Sequence, residues 1–167
     1  MTTGDSRDRP ATIGELLDAM QHRLAALPGG QGAARDFLST YMRTTAAVAA
    51  AIEAQTFEDP AWVEHWDLEF AGLYLAALDA HLSQERRPSR PWRLAFGAAP
   101  DLPALLNVLL GVNAHINYDL PQALLAVITD AEFSGPLLLA PRHRDHGEST
   151  RSCPGGSPQR TSRSPLT

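Results

Sequence analysis

The chain has 167 residues, 44% of them hydrophobic and 20% charged, enough for one domain with a real core and little more. Its formal net charge of −5 is unevenly spread: residues 1–140 hold 9 Arg against 17 acids, residues 141–167 hold 5 Arg against 2, and Lys is absent. An acidic body argues against nucleic acid as a partner, since phosphate binding needs a basic face; the single cysteine, Cys153, allows neither an intramolecular disulfide nor a Cys-based metal knuckle; and no window has the uninterrupted apolar length of a membrane span.

Residues 1–11 are polar and mixed in charge and read as a disordered lead without the apolar stretch of a secretory signal, so a cytoplasmic location is expected. Thr12-Ile13-Gly14-Glu15 has capping-box form. Ile13, Leu16, Leu17, Met20, Leu24 and Leu27 then recur at helical spacing up to a stop at Pro28-Gly29-Gly30. A second helix is predicted from about Ala33 to Gln55, with Phe37, Leu38, Tyr41, Met42, Thr45, Val48, Ala49 and Ile52 on its buried stripe. Asp59 is suited to cap a third helix that opens on Pro60 and runs to about Gln84. That helix carries Trp62, Trp66, Phe70 and Tyr74, whose spacing suits core packing better than a cofactor box.

After a charged linker, Pro91 to Phe96 reads as a short helix ended by Gly97. Asp101 is then expected to cap a fifth helix running through Tyr118, apolar on so many sides that it should lie at the centre of the bundle, with Gly111 marking a close helix crossing. Asp119-Leu120-Pro121-Gln122 repeats the capping-box pattern and predicts a sharp turn into a sixth helix ending near Ala131. Beyond Gly135-Pro136 the apolar periodicity stops. The chain thus divides into a lead (1–11), a helical domain (12–135) and a disordered Pro/Arg/Ser-rich tail (136–167). The fold class is all-α, an irregular bundle of about five or six helices.

Chemistry concentrates in His115-Ile116-Asn117-Tyr118-Asp119, where polar groups crowd into the most apolar part of the chain. Buried polar groups need partners, so the leading reading is a hydrogen-bonded helix junction, with Asp119 as an N-cap and His115 as a satisfied core histidine. An alternative makes His115 and Asp119, four residues apart, ligands of a divalent metal together with Asp67 from the third helix, with Tyr74, Asn113 and Asn117 lining a pocket where activated water could serve a hydrolase. A third reading is an interaction module that self-associates through exposed apolar surface. There is no His-Glu-x-x-His, no Gly-rich phosphate loop and no Gly-x-Ser-x-Gly, so whether the protein is an enzyme stays open. His65 with Glu69 reads as a solvated pair, and His143-Arg144-Asp145-His146 is set aside because its segment is not expected to hold geometry.

The motif from His115 to Pro121, preceded by Leu109-Leu110-Gly111-Val112-Asn113-Ala114, resembles the signature of an uncharacterised bacterial helical family, domain of unknown function 5995. Asp67, Phe70-Ala71, Tyr74-Leu75, Trp92 and Ala95-Phe96 also resemble its pattern, and the similarity spans roughly Leu16 to Ile128. The resemblance implies no activity; it favours Asp67, Tyr74, His115, Asn117 and Asp119 as the polar cluster. Such proteins look as though they continue with further helices past the position of Ile128, so a truncated or frame-shifted member, lacking one wall of its bundle, is the expectation.

Overall fold

In the computed structural model, residues 9–83 and 86–152 are described, and they are helical with no strand among them. Helix α1 (Ile13–Ala26) opens where the Thr12 hydroxyl accepts the Glu15 N–H at 3.2 Å. Helix α2 (Gly32–Glu53) follows a turn in which Gly30 takes φ 87°, a conformation that favours glycine. Helix α3 (Pro60–Ser83) is capped as expected, by Asp59 Oδ1 accepting the Trp62 N–H at 3.0 Å. The short α4 (Arg90–Phe96) leads to α5 (Ala104–Ala114), which starts past Asp101 and has no side-chain cap.

No sharp turn follows α5. The chain continues through a π-helical turn (His115–Asp119) directly into α6 (Leu120–Val127), and α7 (Asp130–Ser134) and α8 (Pro136–Ser152) complete the described helices. Asp119 is therefore not an N-cap: its backbone is helical and its side chain caps nothing. The cause lies at Pro121, which has no N–H to donate to Asn117 and whose ring would meet that carbonyl in a regular helix. The widened turn relieves the clash, with the Leu120 N–H bonding His115 O five residues back and Gln122 Nε2 donating to Tyr118 O at 2.7 Å.

Two clusters form the core. One joins α1, α2, the C-terminal half of α3 and α4 around Leu38, Tyr74, Leu78 and Trp92. The other joins the start of α3 to α6 around Trp62, Val63, Trp66, Phe70 and Val127. Helix α5 packs chiefly on α2, but not as the central rod its composition suggested. Its buried face is made of the small and polar positions Asn107, Gly111 and Ala114, while Leu105 (68% exposed), Leu109 (52%), Val112 (41%) and Ile116 (45%) face outward. Close approach selects that face. A Cβ on Gly111 would stand 2.3 Å from the Phe37 ring, so α2 and α5 touch through a position without a side chain.

The tail expected from residue 136 is also revised. Residues 136–152 form α8, held by polar contacts rather than by an apolar stripe. Asp145 is buried and accepts the backbone N–H groups of Glu58 (2.8 Å) and Asp59 (3.0 Å) in the α2–α3 connection. Arg142 bonds Asp59 (2.6 Å) and Glu132 (2.9 Å), and its guanidinium lies 4.8 Å above the Trp62 ring. Arg144 pairs with Glu58. The remainder of the expected tail (153–167) and most of the expected lead (1–8) lie outside the described residues. Among the described residues no helix is long and apolar enough to cross a membrane.

Gly111→Ala drives a methyl group into the Phe37 ring and should destabilise the protein by about 1–3 kcal/mol, the usual cost of overpacking a core. Urea denaturation with an unchanged m-value checks this; equal midpoints for the variant and the parent would mean that α2 and α5 do not cross so closely. Asp145→Ala removes the acceptor of two amides and should cost about 1–3 kcal/mol. Amide exchange should accelerate specifically at Glu58 and Asp59.

Candidate functional site

The π-helical turn divides its residues by direction. His115 and Asp119 point into the protein and are buried, whereas Ile116, Asn117 and Tyr118 are exposed. Asn117 Nδ2 donates to Asn113 Oδ1 at 2.9 Å on the outer surface, so neither amide joins the buried pair. The expected polar knot is thus two pairs facing opposite ways.

The inner pair is tightly tied. His115 Nδ1 lies 2.8 Å from Asp119 Oδ2, and the Trp92 indole N–H donates to the same oxygen at 2.9 Å. This bridges α4 to the α5–α6 rod in a site where His115 is 3% and Asp119 2% exposed. Burial pushes the imidazole below its ordinary range, against the opposing pull of the Asp119 carboxylate. A neutral ring that donates from Nδ1 keeps its lone pair on Nε2. That atom is buried and has no hydrogen-bond partner.

Aromatic rings fix the plane of the imidazole. Phe70 stacks on it with centroids 3.6 Å apart and planes 3° off parallel, and Tyr41 meets it edge-on at 4.6 Å. Phe37, Trp92 and Tyr74 surround it further out, at 5.9, 6.0 and 6.1 Å. His115 therefore sits at the seam between the two core clusters, with Phe70 from one and Phe37, Tyr41, Tyr74 and Trp92 from the other.

A cavity of about 240 Å³ opens beside this ring. Phe37, Tyr41, Trp66, Phe70, Asp67 and His115 are among its lining residues, and α8 contributes His146 and Ser149. Asp67 is buried, its Oδ2 has no partner, and burial pushes its carboxyl up to about 7. Asp119 stands behind the imidazole, outside the lining, and Tyr74 is wholly buried in the aromatic core without lining the cavity. Ser149 shares the cavity with His115, but no hydroxyl reaches His115 Nε2, so no nucleophile is paired with the ring.

Of the sequence-predicted residues, the fold brings His115 and Asp119 into contact and sets Asp67 across the same cavity, while Asn113 and Asn117 lie on the surface. Among the described residues, no three His, Cys, Asp or Glu side chains converge where a metal ion could be held. Asp67, His115 and Asp119 are therefore not assembled as a ligand set: the Asp119 oxygen facing His115 is already engaged by two donors. Trp92 and Phe70 were not recognised as partners of the motif. The one available signal for Trp92 was the need of a buried indole N–H for an acceptor. His65 and Glu69 form the expected surface pair, 3.8 Å apart.

A family model described as a family of unknown function (DUF5995) matches residues 13–150, well over half of the chain and past both ends of the stretch the motif resemblance covers. No curated protein and no solved structure matches the chain.

Asp67 makes a pH prediction. Its carboxyl is held at about 7 in the fold against an ordinary value of 3.8, so the folded state binds this proton more tightly than the unfolded chain does. The stability this supplies is full below the ordinary value and is lost as pH rises through about 7. Asp67→Asn, neutral throughout, should gain on the parent over that window by as much as about 4 kcal/mol, as a three-unit shift implies. Urea titrations at stepped pH measure the difference; a pH-independent gap would show that Asp67 is not buried as an acid.

Proposed function

Because the chain belongs to the family of unknown function DUF5995, no activity comes to it by membership, and we propose from its own surface that it works as a self-associating helical module. The observation that carries this is the outward face of α5. Leu105, Leu109, Val112 and Ile116 are all exposed, and their 4-3-4 spacing is that of a coiled-coil seam. Residues 102–118 contain no Asp, Glu, Lys or Arg, so this face offers a charged partner nothing to pair with. Side chains of this size stabilise a contact by about 1.5–3 kcal/mol when taken from full exposure to full burial, and these four, 41–68% exposed, by about half of that each.

A second copy is the occupant this chemistry fits. Two identical uncharged seams pair about a two-fold axis without charge conflict, each supplying the knobs for the other's holes. On this reading the buried His115–Asp119–Trp92 tie is structural: it fixes the rotation of the α5–α6 rod and so decides which side faces outward.

Sedimentation velocity over a concentration series tests the proposal. The parent should dimerise, and the Leu105→Glu/Leu109→Glu variant, with unchanged circular dichroism, should dimerise at least about 100-fold more weakly, since both lost anchors are the most exposed apolar side chains of the seam. A parent that stays monomeric up to about 500 µM, a concentration matching only a very weak interface, would overturn it.

A further inference from the structure

The cavity beside His115 has features that the junction does not use, and it shares only its rim, at Val112 and Ile116, with the proposed dimer face. It is walled by aromatic rings (Phe37, Tyr41, Trp66, Phe70), and its volume of about 240 Å³ exceeds the ~150 Å³ that holds a benzene in an engineered apolar core. An apolar pocket with a few convergent polar groups is the usual form of a small-molecule site. Four lining residues carry a buried polar atom without a partner: His115 Nε2 from the π-helical turn, Asp67 Oδ2 and Trp66 Nε1 from α3, and the Tyr41 hydroxyl from α2; of these His115 Nε2 is the acceptor fixed in place.

Leaving a buried acceptor unpaired costs free energy that a ligand donor would recover. Nδ1 is committed to Asp119, which stands outside the cavity lining, so the Nε2 edge is the polar edge His115 offers to the cavity. Phe70, stacked flat on the imidazole, and the Asp119–Trp92 bonds behind it hold that edge in one orientation. A route inward exists at the exposed Val112 and Ile116 and the half-buried Thr40 and Thr44, all on the cavity's lining.

We propose that this cavity is a binding site for an uncharged one- or two-ring aromatic molecule whose hydroxyl or ring N–H donates to His115 Nε2. The size comes from the volume, the aromatic character from the walls, and the single donor from the fixed imidazole acceptor. No Arg lines the cavity to hold an anion, Asp67 keeps its proton below about pH 7 and then offers a cation no charge, and the apolar walls would strip an ion of its water, so the ligand is neutral.

Calorimetric titration with indole against 1-methylindole, and with phenol against anisole, tests this on the parent protein. Indole and phenol should bind at least about tenfold more tightly than their methylated counterparts, because only they can donate to the imidazole. His115→Phe should bind both members of each pair alike, and Thr44→Trp, at the mouth, should bind neither. If His115→Phe does not fold, the ¹⁵N resonance of His115 Nε2 in the parent decides in its place: it should shift with indole and not with 1-methylindole. Equal binding of the two members of a pair to the parent overturns the proposal. A dimer through Val112 and Ile116 would cover the mouth, so the same titrations are made on Leu105→Glu/Leu109→Glu, neither of which lines the cavity; no binding of either member to that variant at about millimolar ligand also overturns it.

Discussion

A carboxylate at the bottom of a protein has to be answered by donors, and most of this architecture follows from how Asp119 is answered. One of its oxygens takes the indole N–H of Trp92 and the imidazole N–H of His115, so three side chains from α4 and the α5–α6 rod share one buried point. The rod reaches that geometry only because it is wound wider for one turn, and the widening itself is a response to Pro121. A local backbone constraint thus sets the rotation of the longest stretch of the chain without Asp, Glu, Lys or Arg, residues 102–118. With His115 and Asp119 turned inward, Ile116 and the rest of its stripe must point outward.

The same tie explains why an apolar cavity ends in an imidazole edge. His115 has two nitrogens on opposite sides of a ring that Phe70 and Tyr41 hold in place. Committing Nδ1 to the interior of the bundle leaves Nε2 toward the seam between the two core clusters, where packing is incomplete. Asp67 faces the same space from α3 without a counter-charge, and burial keeps its proton on to a much higher pH than usual. With the Trp66 indole N–H and the Tyr41 hydroxyl also unpartnered, the orphaned polar atoms around this apolar space are costly for a purely structural protein, and that cost is what points to an occupant.

Helix α8 shows a different economy. Its inward residues Arg142, Asp145, His146 and Ser149 follow helical spacing but are polar, and they meet the α2–α3 connection through hydrogen bonds and ion pairs. Hydrophobic burial contributes little there, with Leu137 and Leu138 exposed. Contacts of this kind are directional and screened by salt, unlike the apolar packing that holds α1 to α4 together.

Much of the fold was legible in the sequence because it rests on local rules. The apolar periodicity of α1, α2 and α3, the Asp59-Pro60 start of α3, the Pro28-Gly29-Gly30 stop and the closeness implied by Gly111 each depend on a few neighbouring residues, and each is present. That His115 and Asp119 share a face was equally readable from their spacing, but their mutual bond was not, since Asp119 read as a cap. What the sequence could not settle was direction. The composition of α5 permits any face to be buried, and the winner was the face that lets backbones approach at Gly111, a property of the α2–α5 crossing rather than of α5. Asp119 read as a cap because capping is the commonest use of Asp before Leu-Pro-Gln; only the arrival of Trp92 from another helix gave it a different partner. Helix α8 escaped a search for apolar stripes because the stripe that anchors it is polar, and its value exists only where Glu58 and Asp59 present their backbone N–H groups. Periodicity and capping belong to the chain, but the choice among faces and partners belongs to the packed bundle, since it turns on distances between residues far apart in sequence.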